Sequence, residues 1–326
     1  MKKVIAILFI MTLLAKPGYG AEELKKVNFM PQWTAQAQFA GYYMALEKGF
    51  YKKHGLEVAI EHATPISGAT DALKTGKADI VTLFLSTGIK NAASGMDIVE
   101  IGQISQKSAL VLVTLKKSGI DNPKAMKNKK FGIWQCDFQE IPMAFMKKYD
   151  VNPQVIPIAS GINLFLWGGV DILTVMWYNE YHTLMMHGVN TSEMKSFSLS
   201  EHGLDIPEDG IFCSGRFFSQ NPELCKNFVK ASTEGWEYAA AHKKETIKVV
   251  EKTMKKYNLP FNMAHQTWML DRMTDLIFPN GKKLDTVLPE SVYNKTVLIL
   301  KESGSIKSAP AYKDFVKSVV NGNAEK

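Results

Sequence analysis

Two stretches of this chain repeat one pattern, and that repeat limits the folds open to it. "LKTGKADIVT" (73–82) aligns with "FLWGGVDILT" (165–174), so Gly76 recurs as Gly168, Asp79 as Asp171 and Thr82 as Thr174, a shift of 92 residues. In each copy the end of a short amphipathic helix leads through a glycine turn and an aspartate into an apolar run of strand length. The flanking segments recur in the same order. Ahead of the first copy stand the helical "AQFAGYYMALEKGFYKKHG" and the strand-like "LEVAI"; ahead of the second stand "QEIPMAFMKKYD" and "QVIPI". Helices alternating with short β-branched runs imply βαβ units and parallel sheets. Two copies of the set imply two similar α/β lobes.

The runs "IVEIGQIS" (98–105) and "ALVLVTLK" (109–116) also read as strands. "NPKAMKNKKFGIW" (122–134) opens the second lobe, and "DGIFCSGRFF" (209–218) carries the chain back to the first. Only helices are expected after it. Asn221 caps the first of these, with Pro222 at its first position and Leu224, Phe228, Val229 and Trp236 on an apolar face. The expected organisation is two discontinuous lobes, 21–115 with 214–326 and 116–213, joined by crossings near 115 and 213. A length of 326 residues suits two such domains.

The N-terminus reads "MKKVIAILFIMTLLAKPGYGAEE". Lys2 and Lys3 precede an apolar stretch, and Gly18-Tyr19-Gly20 supplies small residues for cleavage before Ala21, so residues 1–20 read as a secretory signal peptide. No cysteine lies near the cleavage point for a lipid anchor, and the expected location is the periplasm. Removing that segment lowers the formal net charge from +7 to +4, because it takes away Lys2, Lys3 and Lys16 and no acid. Short lysine runs such as "KNKK" make no basic stripe, so nucleic-acid binding is not expected. Cys136, Cys213 and Cys225 allow one disulfide with a thiol left over. Neither they nor the seven histidines show metal-ligand spacing, and no metal is expected.

Ligands of open parallel sheets bind beyond the carboxyl ends of the strands. After "VNFM" come Gln32 and Trp33, then a helix with Tyr42 and Tyr43, one of which is expected to face the core. After "DIVTLF" comes Ser86; after "FGI" come Trp134, Cys136, Asp137 and Phe138; after "VIPI" come Ser160 and Asn163. After "DILTVM" come Tyr178, Asn179 and Glu180, which the 92-residue shift lays over Ser86-Thr87-Gly88 in the other lobe. Aromatics bury a flat ring, while amides and carboxylates read its edge, so a small heteroaromatic ligand is expected. Each residue also has a structural reading: the tryptophans as core, Cys136 as packing and Glu180 as an ion-pair partner. His182 is expected to stand aside on the next helix. No nucleophile elbow, phosphate loop or dinucleotide fingerprint is present. Glu180 and His182 are two apart, a spacing that puts them on different helix faces. No catalytic residue and no cofactor is assigned.

"QWTAQAQFAGYYMALEKGFYKKHGLEVAI", "LKTGKADIVT", "FLWGGVDILTVMWYNEYHTL" and "ASTEGWEYAAAHKKETIKVV" together resemble one family. It is the group of periplasmic solute-binding proteins that includes binders of thiamine-pyrimidine precursors, with sulfonate-, nitrate- and riboflavin-binding relatives. The resemblance implies a two-lobed, type II binding protein that captures ligand by hinge closure. Its partners would be the permease and ATPase of an ABC importer, and it would act as a monomer. Trp33 and Tyr178 would stack on the pyrimidine, Asn179 and Glu180 would read its edge, and Asp137 and its neighbours would close the other side. The superfamily also contains the fungal thiamine pyrimidine synthase, the alternative reading. Its cofactor lysine and sacrificial histidine fall near Leu83 and Thr87 here, and of its cysteine-rich motif only Cys213 remains.

Overall fold

The computed structural model describes residues 23–64, 68–134, 139–159 and 161–317. The expected signal peptide, Cys136, Asp137, Phe138 and Ser160 lie outside the described residues. Ten strands form two five-stranded sheets: β1 (Lys25–Met30), β2 (Leu56–Ile60), β3 (Ile80–Leu83), β4 (Val99–Gln103), β5 (Leu110–Leu115), β6 (Lys130–Trp134), β7 (Gln154–Ile158), β8 (Ile172–Met176), β9 (Met194–Ser198) and β10 (Gly210–Cys213).

The first sheet has the order β2-β1-β3-β10-β4 and the second β7-β6-β8-β5-β9. In each, three strands run parallel, and a fourth joins antiparallel to its two neighbours. The repeat is therefore kept to the level of register. Phe29 of β1 pairs with Ile80 of β3, and Phe131 of β6 pairs with Ile172 of β8.

The turns that feed β3 and β8 explain the shared glycine and aspartate. Helices Ala69–Lys74 and Asn163–Leu166 both end at a left-handed glycine, Gly76 at φ +73° and Gly168 at φ +72°. A side chain there would be strained, which is why glycine recurs. Asp79 then accepts a hydrogen bond from the backbone N–H of Asn28 (2.8 Å), and Asp171 accepts one from that of Lys130 (2.9 Å). Each carboxylate thus fastens the incoming strand to the start of its parallel neighbour.

Two expectations are corrected. Residues 110–115 pair in the second sheet and 210–213 in the first, so the crossings run through 104–109 and 199–209 rather than near 115 and 213. The sheets are mixed, because each takes in one strand that arrives straight from a crossing. An apolar run such as "ALVLVTL" buries equally well in either sheet, so its pattern does not say which one it joins.

The helix Ala40–Glu47 packs on the long helix Pro222–Ala241 over Phe29, Tyr42, Phe228 and Trp236. Gly41 and Gly235 allow the close approach. A Cβ on Gly235 would clash with the Gly41 carbonyl oxygen and lie 2.7 Å from the Ala45 methyl. Cys213 and Cys225 are buried thiols with sulfurs 4.0 Å apart. Among the described residues no helix is long and apolar enough to cross a membrane.

Candidate functional site

The two crossings lie side by side and are laced together. The Ser108 N–H donates to Asp205 Oδ1 (2.7 Å), Ser108 Oγ to Glu208 Oε1 (2.8 Å), and the Ala109 N–H to Glu208 Oε2 (3.0 Å). Glu208 is thus committed to the hinge, yet burial pushes its carboxyl up to about 8 despite those donors.

Asp209, the next residue, does something different. Its backbone sits in the left-handed region (φ +54°), uncommon for a residue with a side chain. Its carboxylate turns to the first lobe and accepts from Gln32 Nε2 (2.6 Å) and Gln38 Nε2 (3.0 Å). Gln36 Nε2 in turn donates to Gln38 Oε1 (2.7 Å), so the amides of "QWTAQAQ" form a chain ending on Asp209. Gln32 is itself placed by its N–H, which donates to Thr82 Oγ1, the threonine of the repeat (3.0 Å). Burial raises Asp209 to about 7, with the Gln38 amide partly offsetting the rise. Among the described residues Asp209 has no salt-bridge partner.

Two tyrosines complete the cluster. Tyr178, just beyond β8 of the second lobe, is buried beside Gln38 of the first. Burial first, then the nearby charges of Asp209, Glu208 and Glu180, raise its phenol. Tyr42 is 1% exposed, its phenol raised by burial and then by Asp209, with Trp236 beside its hydroxyl offsetting part of the rise. Gln32 Oε1 is buried and has no hydrogen-bond partner among the described residues.

The structure thus brings Gln32, Tyr42 and Tyr178 around Asp209. Both Tyr42 and Tyr43 prove buried; Tyr43 meets the His62 ring nitrogen at 2.8 Å. Trp33 is 47% exposed beside this floor, its carbonyl held by the His62 ring at 2.7 Å. Ser86 is buried in the first turn of helix Leu85–Ala93, Trp134 is buried at the end of β6, and Asn163 is exposed.

Asn179 and Glu180 are engaged with the protein itself. Glu180 accepts from the Met176 N–H (3.0 Å) and from Asn179 Nδ2 (2.8 Å), and Asn179 Oδ1 meets His265 Nε2 at 3.0 Å. Burial raises the Glu180 carboxyl. His182 lies on the helix Glu180–Met186, where it was expected. It meets His265 at 3.0 Å and stacks on Trp268 with centroids 5.0 Å apart. Arg272 lies over both Trp177 and Trp268, 4.8 Å from each ring, while Trp268 Nε1 donates to the Trp177 carbonyl (3.1 Å). Helix Met263–Ile277, from the C-terminal helices, is thereby latched to the end of β8. Burial lowers His265 to about 4, with the facing His182 adding to the shift. On another side Lys90 pairs with the buried Glu140 (2.9 Å) and Lys147 with Glu302 (3.1 Å), both between the lobes.

Sequence reasoning passed over Asp209, Gln38 and His265. "PEDG" resembles a surface turn, and only the run of glutamines before the first helix hinted at a polar floor. Of the synthase positions, Leu83, Thr87 and Cys213 are all buried, and none is a lysine or a histidine.

A family model described as NMT1/THI5 like matches residues 36–246. Curated relatives named 4-amino-5-hydroxymethyl-2-methylpyrimidine phosphate synthase include one from Candida albicans, 24% identical over 238 residues, 68% of this chain and 69% of that protein. Another, from Aspergillus parasiticus, is 29% identical over 234 residues, 66% and 67% of the two chains. Among solved structures, the periplasmic aliphatic sulphonate-binding protein SsuA from Escherichia coli superposes with a TM-score of 0.71 at 13% identity, over 93% of this chain and 96% of that one. The periplasmic nitrate-binding protein NrtA from Synechocystis gives 0.64 at 14% identity, over 90% and 85%. The fold is that of periplasmic binding proteins.

Proposed function

The chain belongs to the NMT1/THI5-like family, and on that premise we propose that it is the exported substrate-binding subunit of an ABC importer, capturing a thiamine-pyrimidine precursor by closure of its two lobes. The observation that carries this reading is the junction at Asp209. Gln32 and Gln38 from the first lobe donate to Asp209 from the crossing, and Tyr42 of the first lobe and Tyr178 of the second are buried within reach of its charge. A ligand bound there touches both lobes and the hinge together, which is how a binding protein converts occupancy into closure. Trp33 supplies an exposed flat face for a heteroaromatic ring beside that network. Cys136, Asp137, Phe138 and Ser160 belong to the proposed wall on the second lobe. Residues 1–20 serve as the export signal, and the permease and ATPase of the importer are the partners.

The test is native mass spectrometry of the full exported chain, freshly purified, followed by thermal-shift titration with 4-amino-5-hydroxymethyl-2-methylpyrimidine, thiamine and riboflavin. A co-purified pyrimidine mass and a stabilisation of about 2.7 kcal/mol at 100 times Kd support the reading. No bound mass and no shift with any pyrimidine refute it.

The names of the curated relatives favour a second reading, a pyrimidine synthase. It requires a lysine that forms a visible-absorbing Schiff base with pyridoxal phosphate. Appearance of that chromophore, and its loss on substituting one lysine, would decide for it.

A further inference from the structure

We propose that Asp209 makes this cleft selective for a donor-rich, neutral or cationic ligand and closes it to the oxyanions that its structural neighbours are named for binding. This deepens the solute-binding reading and rests on it.

The argument starts from what is left unpaired. Buried polar atoms are almost always hydrogen-bonded, so each orphan points to a missing partner. At the floor of the junction one such atom among the described residues stands beside the carboxylate: Gln32 Oε1, on the amide that donates to Asp209. The orientation of Gln32 is not arbitrary. Its Nε2 lies 2.6 Å from Asp209 Oδ1, and a carboxylate needs a donor there, so the amide oxygen must be the free end. Gln38 is fully used, its nitrogen on Asp209 and its oxygen on Gln36. The free capacity is therefore a carbonyl oxygen and the Asp209 oxygen Oδ2, whose partner among the described residues is Gln38 at 3.2 Å. Both accept only.

Glu208 serves as an internal control. It is equally buried, but Ser108 and the Ala109 N–H bind both of its oxygens, which makes it a hinge group. Asp209 differs in standing beside an unpaired amide oxygen and in having no salt-bridge partner among the described residues.

A ligand completing this set brings N–H groups. An amino group beside a ring nitrogen that carries a proton places two donors on one edge, which suits Gln32 Oε1 and Asp209 together. A sulfonate or nitrate brings acceptors alone and sets a negative charge against a buried carboxylate, the repulsive element by which sites reject a competitor.

The experiment is isothermal titration of the full-length protein and its Asp209→Asn variant with three probes: 4-amino-5-hydroxymethyl-2-methylpyrimidine, ethanesulfonate and nitrate. Asparagine keeps the shape and removes the charge, and circular dichroism of each free protein verifies its fold. Wild type should bind the pyrimidine and give no heat with either anion at millimolar concentration. Asp209→Asn should weaken pyrimidine binding by about 10- to 100-fold, the range of a charge-assisted hydrogen bond. Unchanged pyrimidine affinity in Asp209→Asn overturns this inference and leaves the solute-binding reading standing. Tighter wild-type binding of either anion than of the pyrimidine does the same. If wild type binds none of the three, the solute-binding reading falls and takes this inference with it.

Discussion

Removing the charge that reads the ligand should make the empty protein more stable. A carboxyl whose folded pKa is raised resists ionisation in the native state while the unfolded chain ionises freely. Its cost is absent below the unfolded value near 4, grows as pH rises, and is complete above the folded pKa. For Asp209 the window runs from 3.8 to about 7. At about 1.4 kcal/mol per pH unit that is a ceiling of about 4 kcal/mol. Asp209→Asn removes this cost and also relieves Glu208, whose carboxyl is raised partly by the Asp209 charge. Against that, the Asn Oδ1 can keep both glutamine donors, but its Nδ2, in the place of Oδ2, sets an N–H against Gln38 Nε2, a loss of about 1–3 kcal/mol. We expect a net gain of about 1–3 kcal/mol at pH 7.5, a few degrees in Tm. Toward pH 4 the folded carboxyl is protonated and the unfolded one about half so, and the gain vanishes. The assay is urea unfolding of ligand-stripped wild type and variant at half-unit steps from pH 4 to 8. A variant less stable than wild type at pH 7.5, or a difference that does not change with pH, would refute the reasoning.

Three further outcomes are expected. Trp33→Ala should weaken ligand binding at least tenfold in titration calorimetry while shifting Tm by under two degrees, because the ring is 47% exposed and contributes little to the core. The His182–His265 latch should loosen on acidification. His265 is lowered to about 4, so its contribution is whole above pH 6.5 and lost as pH falls toward 4; the radius of gyration from X-ray scattering of ligand-free protein should grow over that range, and His265→Gln should flatten the response. Gly235→Ala should cost about 1–3 kcal/mol in thermal unfolding, since the new methyl drives the helix Pro222–Ala241 off the Gly41 carbonyl and Ala45.

Much of the site was legible and much was not, and the divide follows the range of the interactions. That Tyr178, Gln32 and Tyr42 lie at or near strand ends could be read, because strand ends are marked by local patterning. The hydrogen bonds of Asn179 and Glu180 could not. Whether a polar pair reads a ligand or ties down its own helix depends on what packs opposite, here His265, which lies 86 residues from Asn179. Asp209 stayed hidden for the same reason. Its partner Gln32 is 177 residues away, and "PEDG" is an ordinary turn until the crossing buries it.

By itself the sequence determined the two lobes, the parallel strand triple inside each, and the glycine and aspartate turns that set their register. Those features depend on residues a few positions apart, on hydrophobic period and on the left-handed backbone that glycine permits. Tertiary structure decided which sheet received Leu110–Leu115 and Gly210–Cys213. It also turned Asp209 into a buried acid held by glutamine amides and made His182 part of a latch. An apolar strand is satisfied by either sheet, and a carboxylate acquires its character only from the dielectric and the donors that distant segments bring to it.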